Sequence, residues 1–157
     1  WGAVIVMVLE DSVEGDSKDH AVAAPASDVH AGDELSDRAH HYRGLNFLIN
    51  GVVVVGVGVL HPGAADLTTW PSGTPHIVLR GFLIDGRFQG RGLGTAAARA
   101  AIDTAQREYP KASALVLTVG VTNVAARRAY ERAGFELTGT QVAGRTEDEL
   151  VMSASLR

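Results

Sequence analysis

Seven residues, Gln89-Gly90-Arg91-Gly92-Leu93-Gly94-Thr95, set three glycines at alternate positions around one arginine. That combination suits the binding of an anion. Glycine reaches backbone angles closed to other residues and lets bare peptide groups approach a ligand. The turn lies between an apolar run, His76 to Ile84, and an alanine-rich segment, Thr95 to Glu108, so it reads as a strand-to-helix connection. Successive N–H groups and the dipole of a helix N-terminus make an anion site there. Arg91 adds a full positive charge beside it, and a phosphate or pyrophosphate is the natural guest.

Three uses of such a turn compete. A Walker A loop needs Lys-Ser/Thr after its last glycine, and no lysine follows Gly94. A dinucleotide fold is closer, because Gly92-x-Gly94-x-x-Ala97 fits G-x-G-x-x-G/A. It also wants an acidic residue about 20 positions on to hold a ribose, and the strand Ala114 to Val119 offers none. A tight connection with no ligand accounts for the glycines as well.

Other reactive residue types carry less. The chain has no cysteine, which excludes disulfides, thiolate metal sites and cysteine nucleophiles and fits a reducing, cytoplasmic setting. His40-His41, His61 and His76 lack metal-ligand spacing with a carboxylate partner, so no metal is expected. A Gly-x-Ser-x-Gly elbow is absent. The cluster Glu147-Asp148-Glu149 could attract a cation, although a solvated turn explains it equally. A net charge of −4 argues against nucleic acid as a partner, since phosphate contacts need surplus Lys and Arg. No apolar run approaches the roughly 18–20 residues of a membrane span, and Trp1–Leu9 lacks the flanks of a signal peptide.

The elements that must position these residues follow from pattern. A chain of 157 residues that is 46% apolar can bury one core, so one domain over residues 1–157 is expected. Trp1–Leu9 reads as a strand, whereas 11–43 has weak periodicity and suggests helical or loop material. Leu45 to Ile49 and Val52 to Leu60 flank Asn50-Gly51, the signal for a two-residue type I′ hairpin turn. After a loop from His61 to Thr74 come strand 76–84, helix 95–108 ending before Pro110, and strand 114–119. A short helix Asn123–Ala133 stops at Gly134, and Phe135–Gln141 and Glu149–Leu156 close as strands. Hairpin followed by β-α-β implies an α/β (α+β) mixed sheet in one domain.

Two segments together resemble the GCN5-related N-acetyltransferase superfamily. Gln89-Gly90-Arg91-Gly92-Leu93-Gly94 matches its Gln/Arg-x-x-Gly-x-Gly/Ala signature, and Asn123 through Tyr130 to Gly134-Phe135 matches its second, a helix carrying Tyr and ending in Gly-Phe. The run Leu79 to Asp85 is similar to the bacterial branch that includes spermidine acetyltransferase-like members, as is Val22-Ala23-Ala24-Pro25. The likeness covers about residues 45–156, with 1–43 the weaker match.

The resemblance implies a mostly antiparallel sheet flanked by helices and splayed between its fourth and fifth strands, with acetyl-CoA held in the splay. The backbones of Leu83 and Ile84 would bind the pantetheine arm, and an N–H there would stabilise an oxyanion. Gln89, Gly90, Arg91, Gly92, Leu93, Gly94 and Thr95 would hold the pyrophosphate, with Asn123 and Arg127 as further coenzyme contacts and Arg128 as an alternative to Arg127. Tyr130 would protonate or hydrogen-bond the leaving thiolate, since an unperturbed tyrosine with a pKa near 10 is a donor at neutral pH; core packing is its other reading. No carboxylate precedes Asp85 on its strand, so Asp85, His76 or solvent remains as base. The implied acceptor is a small-molecule amine such as a polyamine, acetylated by direct transfer, and a homodimer is compatible with the family. A non-catalytic acyl-CoA sensor and a protein N-terminal or lysine acetyltransferase are the alternatives.

Overall fold

The structure is a computed structural model describing residues 3–9, 48–49, 52–62, 70–71 and 73–157. Its strands are β1 (Ala3–Leu9), β2 (Leu48–Ile49), β3 (Val52–Pro62), β4 (His76–Ile84), β5 (Ala114–Gly120), β6 (Glu136–Ala143) and β7 (Asp148–Ser155). Helix α1 spans Leu93–Glu108 and α2 spans Val124–Ala133, with a 3-10 turn at Gly86–Phe88. One sheet runs β1-β3-β4-β5-β7-β6, with β2 also on β3. Every pairing is antiparallel except β4 with β5, so the mixed, mostly antiparallel sheet expected from the sequence is present.

The hairpin strands pair, Ile49 with Val52 and Leu48 with Val53. Its Asn50-Gly51 turn lies outside the described residues, as do the segments expected within 11–43. Strand β4 has the predicted bounds. Helix α1 begins two residues earlier than its alanines suggest, because Gly92, at φ 82°, caps it and accepts from Thr95 and Ala96 N–H at 3.1 Å each. Helix α2 is closed at both ends by local chemistry. The Asn123 side chain accepts from Ala126 N–H at 3.2 Å, and Gly134 turns left-handed at φ 108°.

Alternation along the strands divides the buried residues between two faces. Ile77, Leu79, Leu115 and Leu117 join the buried alanines of α1 and Phe135 in the main core. Ala97, Ala98, Ala101 and Ala105 are buried at helical spacing, and their small side chains seat α1 close against the sheet. The opposite face carries a smaller cluster of Ala114, Val116 and Val151, with Trp70 and Val142 against it.

Two irregularities, one on each side of β4, break the regular sheet. Parallel pairing with β5 is confined to His76–Ala114, Ile77–Leu115 and Val78–Val116, so beyond Val78 and Val116 the strands part. On its other side, β3 pairs Val57 with Leu83 and Val59 with Arg80. Gly81 and Phe82 thus stand opposite Gly58 alone, a β-bulge, with Gly81 at φ 57°. A Cβ on Gly58 would lie 3.1 Å from the Phe82 ring, so glycine there leaves the bulge its space.

Candidate active site

The parting of β4 and β5 opens a cleft of about 1020 Å³. Leu79–Ile84 form one wall, Thr118–Gly120 the other, and Val142–Arg145 with Glu149 close one end. Gln89, Gly90, Gly92, Gly94 and Thr95 line it from the turn before α1, and Asn123, Ala125, Ala126, Arg128, Ala129, Tyr130 and Arg132 line it from α2. The two signature segments, about thirty positions apart in sequence, therefore meet at one cavity.

Backbone direction decides which peptide groups face this cavity. Asp85 N–H donates to Val55 carbonyl at 2.8 Å, toward β3. The alternation of an antiparallel ladder then turns Leu83 toward β3 as well and Ile84 toward the cleft. The Gln89 side-chain amide donates to the Ile84 carbonyl at 2.9 Å from the cleft side. Of the two backbone contacts expected for a pantetheine arm, Ile84 is thus available through its N–H, whereas the polar groups of Leu83 belong to the sheet. The bulge at Gly81–Phe82 releases further peptide groups beside Ile84.

The turn before α1 combines left-handed glycines with N–H groups unpaired among the described residues. Gly90 and Gly92 hold φ of 76° and 82°, angles that L side chains rarely adopt. The first-turn N–H groups of Leu93 and Gly94 have no partner among the described residues. A Cβ on Gly94 would touch Ala129 and Ile84 at 3.8 Å, so α1, α2 and β4 converge there. Arg91 does not line the cavity; its guanidinium stacks over the Phe88 ring at 5.9 Å. The side chain of Leu93 is buried in the core, leaving only its N–H for a ligand.

Helix phase corrects the expectation for α2. Arg127 lies off the cleft, with its Nε 3.6 Å from Glu131 one turn on. Arg128 and Arg132, four residues apart, face the cavity instead. Tyr130 is 7% exposed, its ring 5.7 Å from both Phe82 and Phe135. Burial pushes its hydroxyl pKa up to about 12, which keeps it protonated. It lines the cleft, and its hydroxyl has no hydrogen-bond partner among the described residues.

The two side-chain bases named from sequence are engaged elsewhere. Asp85 caps the 3-10 turn and forms a fork with Arg87, at 2.6 Å to Nη2. Those hydrogen bonds hold its carboxyl down to about 2, leaving it a weak proton acceptor. His76 is buried on the opposite sheet face, its Nδ1 2.9 Å from the Thr74 carbonyl and its ring 5.9 Å from Trp70. Among the described residues, Glu149 is the carboxylate that lines the cleft. Its acidic neighbours have structural partners: Glu147 accepts from Thr122, and Asp148 from Gln141 at 2.9 Å. Phe82 and Arg132 were not singled out from sequence as cleft residues, whereas Arg128 stood as the alternative to Arg127 and Glu149 within the acidic cluster suited to a cation. Helical spacing from Arg128 could have indicated Arg132 one turn on.

No group of His, Cys, Asp and Glu suited to a metal occurs among the described residues, and no helix among them is long and apolar enough to cross a membrane.

Known proteins share the architecture. The family described as "Acetyltransferase (GNAT) family" matches residues 10–135. Among curated proteins no match is found. Solved structures share the fold. A GNAT-family acetyltransferase from Streptococcus pneumoniae is 23% identical with a TM-score of 0.54, over 69% of this chain and 62% of that one. The NatC complex bound to Gag peptide and CoA gives 19% identity and a TM-score of 0.54, over 67% of this chain and 63% of that one. Aminoglycoside acetyltransferase AAC(6')-Ib in complex with coenzyme A and kanamycin gives 20% and 0.52, over 69% and 63%. The chain therefore spans about three-fifths of the length of these structures.

Proposed function

The chain belongs to the acetyltransferase (GNAT) family, and from that premise we propose that it transfers an acetyl group from acetyl-CoA to the amine of a small molecule. The observation that carries this reading is the cleft itself: β4 and β5 part directly over a glycine-capped helix N-terminus, with Tyr130 inside. Two of the fold relatives hold coenzyme A, one with an aminoglycoside and one with a peptide.

The residues present fit acetyl-CoA. The N–H groups of Leu93 and Gly94, with Gly90 and Gly92 opening the backbone, suit its pyrophosphate. Arg128 and Arg132 offer charge for the phosphates, and Asn123 ties down the turn beside them. The parted edge of β4, through Ile84 N–H and the peptide groups freed at the Gly81–Phe82 bulge, suits an extended pantetheine arm.

The coenzyme supplies a thioester already activated for transfer. The protein's part is to hold it still and to place charge and protons. N–H groups of the bulge stabilise the negative charge that builds on the acetyl oxygen, the term that commonly dominates acyl transfer. As the new C–N bond forms and the C–S bond breaks, the Tyr130 hydroxyl donates a hydrogen bond to the departing sulfur, and the thiolate takes its proton from solvent. The amine sheds its own proton to water in the open cleft. A primary amine with a Lys-like pKa of about 10.4 must lose that proton at a cost of roughly 4–5 kcal/mol at neutral pH. Glu149 draws the ammonium group to the cleft mouth.

The test is CoA release measured with acetyl-CoA and a panel of small amines, polyamines, aminoglycosides and peptide N-termini, with products identified by mass spectrometry. Turnover with a small amine is the expected result. Tight acetyl-CoA binding without turnover on any amine would instead make the chain an acyl-CoA sensor.

A further inference from the structure

We infer that Glu147 is a positioning residue that sets the geometry of Tyr130 from across the sheet. Its carboxylate reaches back from the β6–β7 turn to the turn that leads into α2. One oxygen accepts from Thr122 N–H at 3.0 Å and the other from Thr122 Oγ1 at 2.9 Å. Beside it, Val121 N–H donates to the Asp148 carbonyl at 3.0 Å. Both oxygens of one carboxylate are thus used on one residue, a charge-assisted arrangement stronger than two neutral bonds.

The place of this clasp gives it leverage. Beyond Val116 the open side of β5 has no β4 partner, so among the described strands the far end of β5 pairs with β7 alone. Thr122 stands between the end of β5 and Asn123, whose side chain caps α2 and whose N–H donates to the Gly120 carbonyl at 2.9 Å. Tyr130 rides on α2 two turns later. Any drift of residues 120–123 away from the β6–β7 turn therefore re-aims the helix that carries Tyr130.

Gly120 fits the same account. A side chain there would run into the Glu147 carboxylate and push it off Thr122, so glycine at this position leaves the clasp its space. The clasp also ties two groups of cleft-lining residues together, Gly120 and Asn123 on one side of it and Gly144 and Arg145 on the other. Glu147 itself does not line the cleft, so it acts through Thr122 and α2.

This inference rests on Tyr130 as the hydrogen-bond donor to the departing sulfur, and a double-mutant cycle separates the two claims. Turnover, acetyl-CoA affinity and melting temperature are measured for Glu147→Gln, Tyr130→Phe and the double variant. A glutamine keeps the shape but can accept with one oxygen only. Expected are a kcat lower by roughly tenfold to a hundredfold in Glu147→Gln, acetyl-CoA affinity within about threefold, and in the Tyr130→Phe background a further loss under about twofold. Thr122→Val, which removes one of the two bonds, should show the same pattern more weakly and serves if Glu147→Gln does not fold. Unchanged kcat in both clasp variants, or losses that multiply with Tyr130→Phe, would overturn the role of Glu147 while leaving Tyr130 in place. Unchanged turnover in Tyr130→Phe would remove Tyr130 from the mechanism and with it the route by which Glu147 acts.

Discussion

The side chain of Gln89 hydrogen-bonds the carbonyl of Ile84 at 2.9 Å, closing the glycine turn back onto the end of the strand it leaves. The first residue of the phosphate-loop signature thus holds the loop in shape and points the carbonyl of Ile84 at a fixed partner. Gln89→Ala should lower stability by about 1 kcal/mol, the net worth of one such bond, and melt roughly 2–4 °C earlier. Acetyl-CoA should bind more weakly because the cradle loses its preformed geometry. Thermal melts and calorimetric titration check both; equal affinity in the variant would leave Gln89 with a purely structural task.

Gly92 caps α1 in a left-handed conformation at φ 82°, and a Cβ there would meet nothing within 4 Å among the described residues. Gly92→Val is therefore opposed by backbone strain and not by a clash, at a cost on the order of 1–3 kcal/mol for a non-glycine residue held there. Relaxing that strain re-aims the Leu93 and Gly94 N–H groups. The variant should lose measurable acetyl-CoA binding by calorimetry while circular dichroism retains its helix signal. Retained affinity would take the turn out of the coenzyme site.

Tyr130 should titrate far above an ordinary tyrosine. Burial raises its folded pKa from 10.0 to about 12. Between those values the folded chain keeps a proton that the unfolded chain has released, so stability is full below about pH 10 and falls as pH rises toward 12. A two-unit shift is worth roughly 2–3 kcal/mol. Difference absorbance of tyrosinate against pH, wild type minus Tyr130→Phe, should isolate this late step. In the same variant the loss of stability over that range should shrink.

Glu149 faces the cleft while its neighbours Glu147 and Asp148 are occupied in the turn. Glu149→Gln should raise the KM for a cationic acceptor several-fold, most at low ionic strength where charge attraction is least screened. The KM for acetyl-CoA should stay unchanged. Initial rates with each substrate varied at two salt concentrations decide it; an unmoved acceptor KM would place Glu149 outside acceptor binding.

Much of this protein is written in local pattern. The apolar run before the glycine turn, the alanines of α1, Asn123 as cap and Gly134 as stop each act within a few residues, so sequence alone determined strand β4, helix α2 and the glycine turn between β4 and α1. Tertiary structure decided what those pieces face. Ladder alternation gave the cleft to Ile84 and turned Leu83 to β3. Helix phase gave it Arg128 and Arg132 in place of Arg127. Packing by Phe82 and Phe135 buried Tyr130 and raised its pKa, and pairing with Arg87 withdrew Asp85. The parting of β4 and β5 is the furthest from local reach: it depends on where two strands about thirty residues apart stop pairing, and hydrophobic alternation looks the same on both sides of that point.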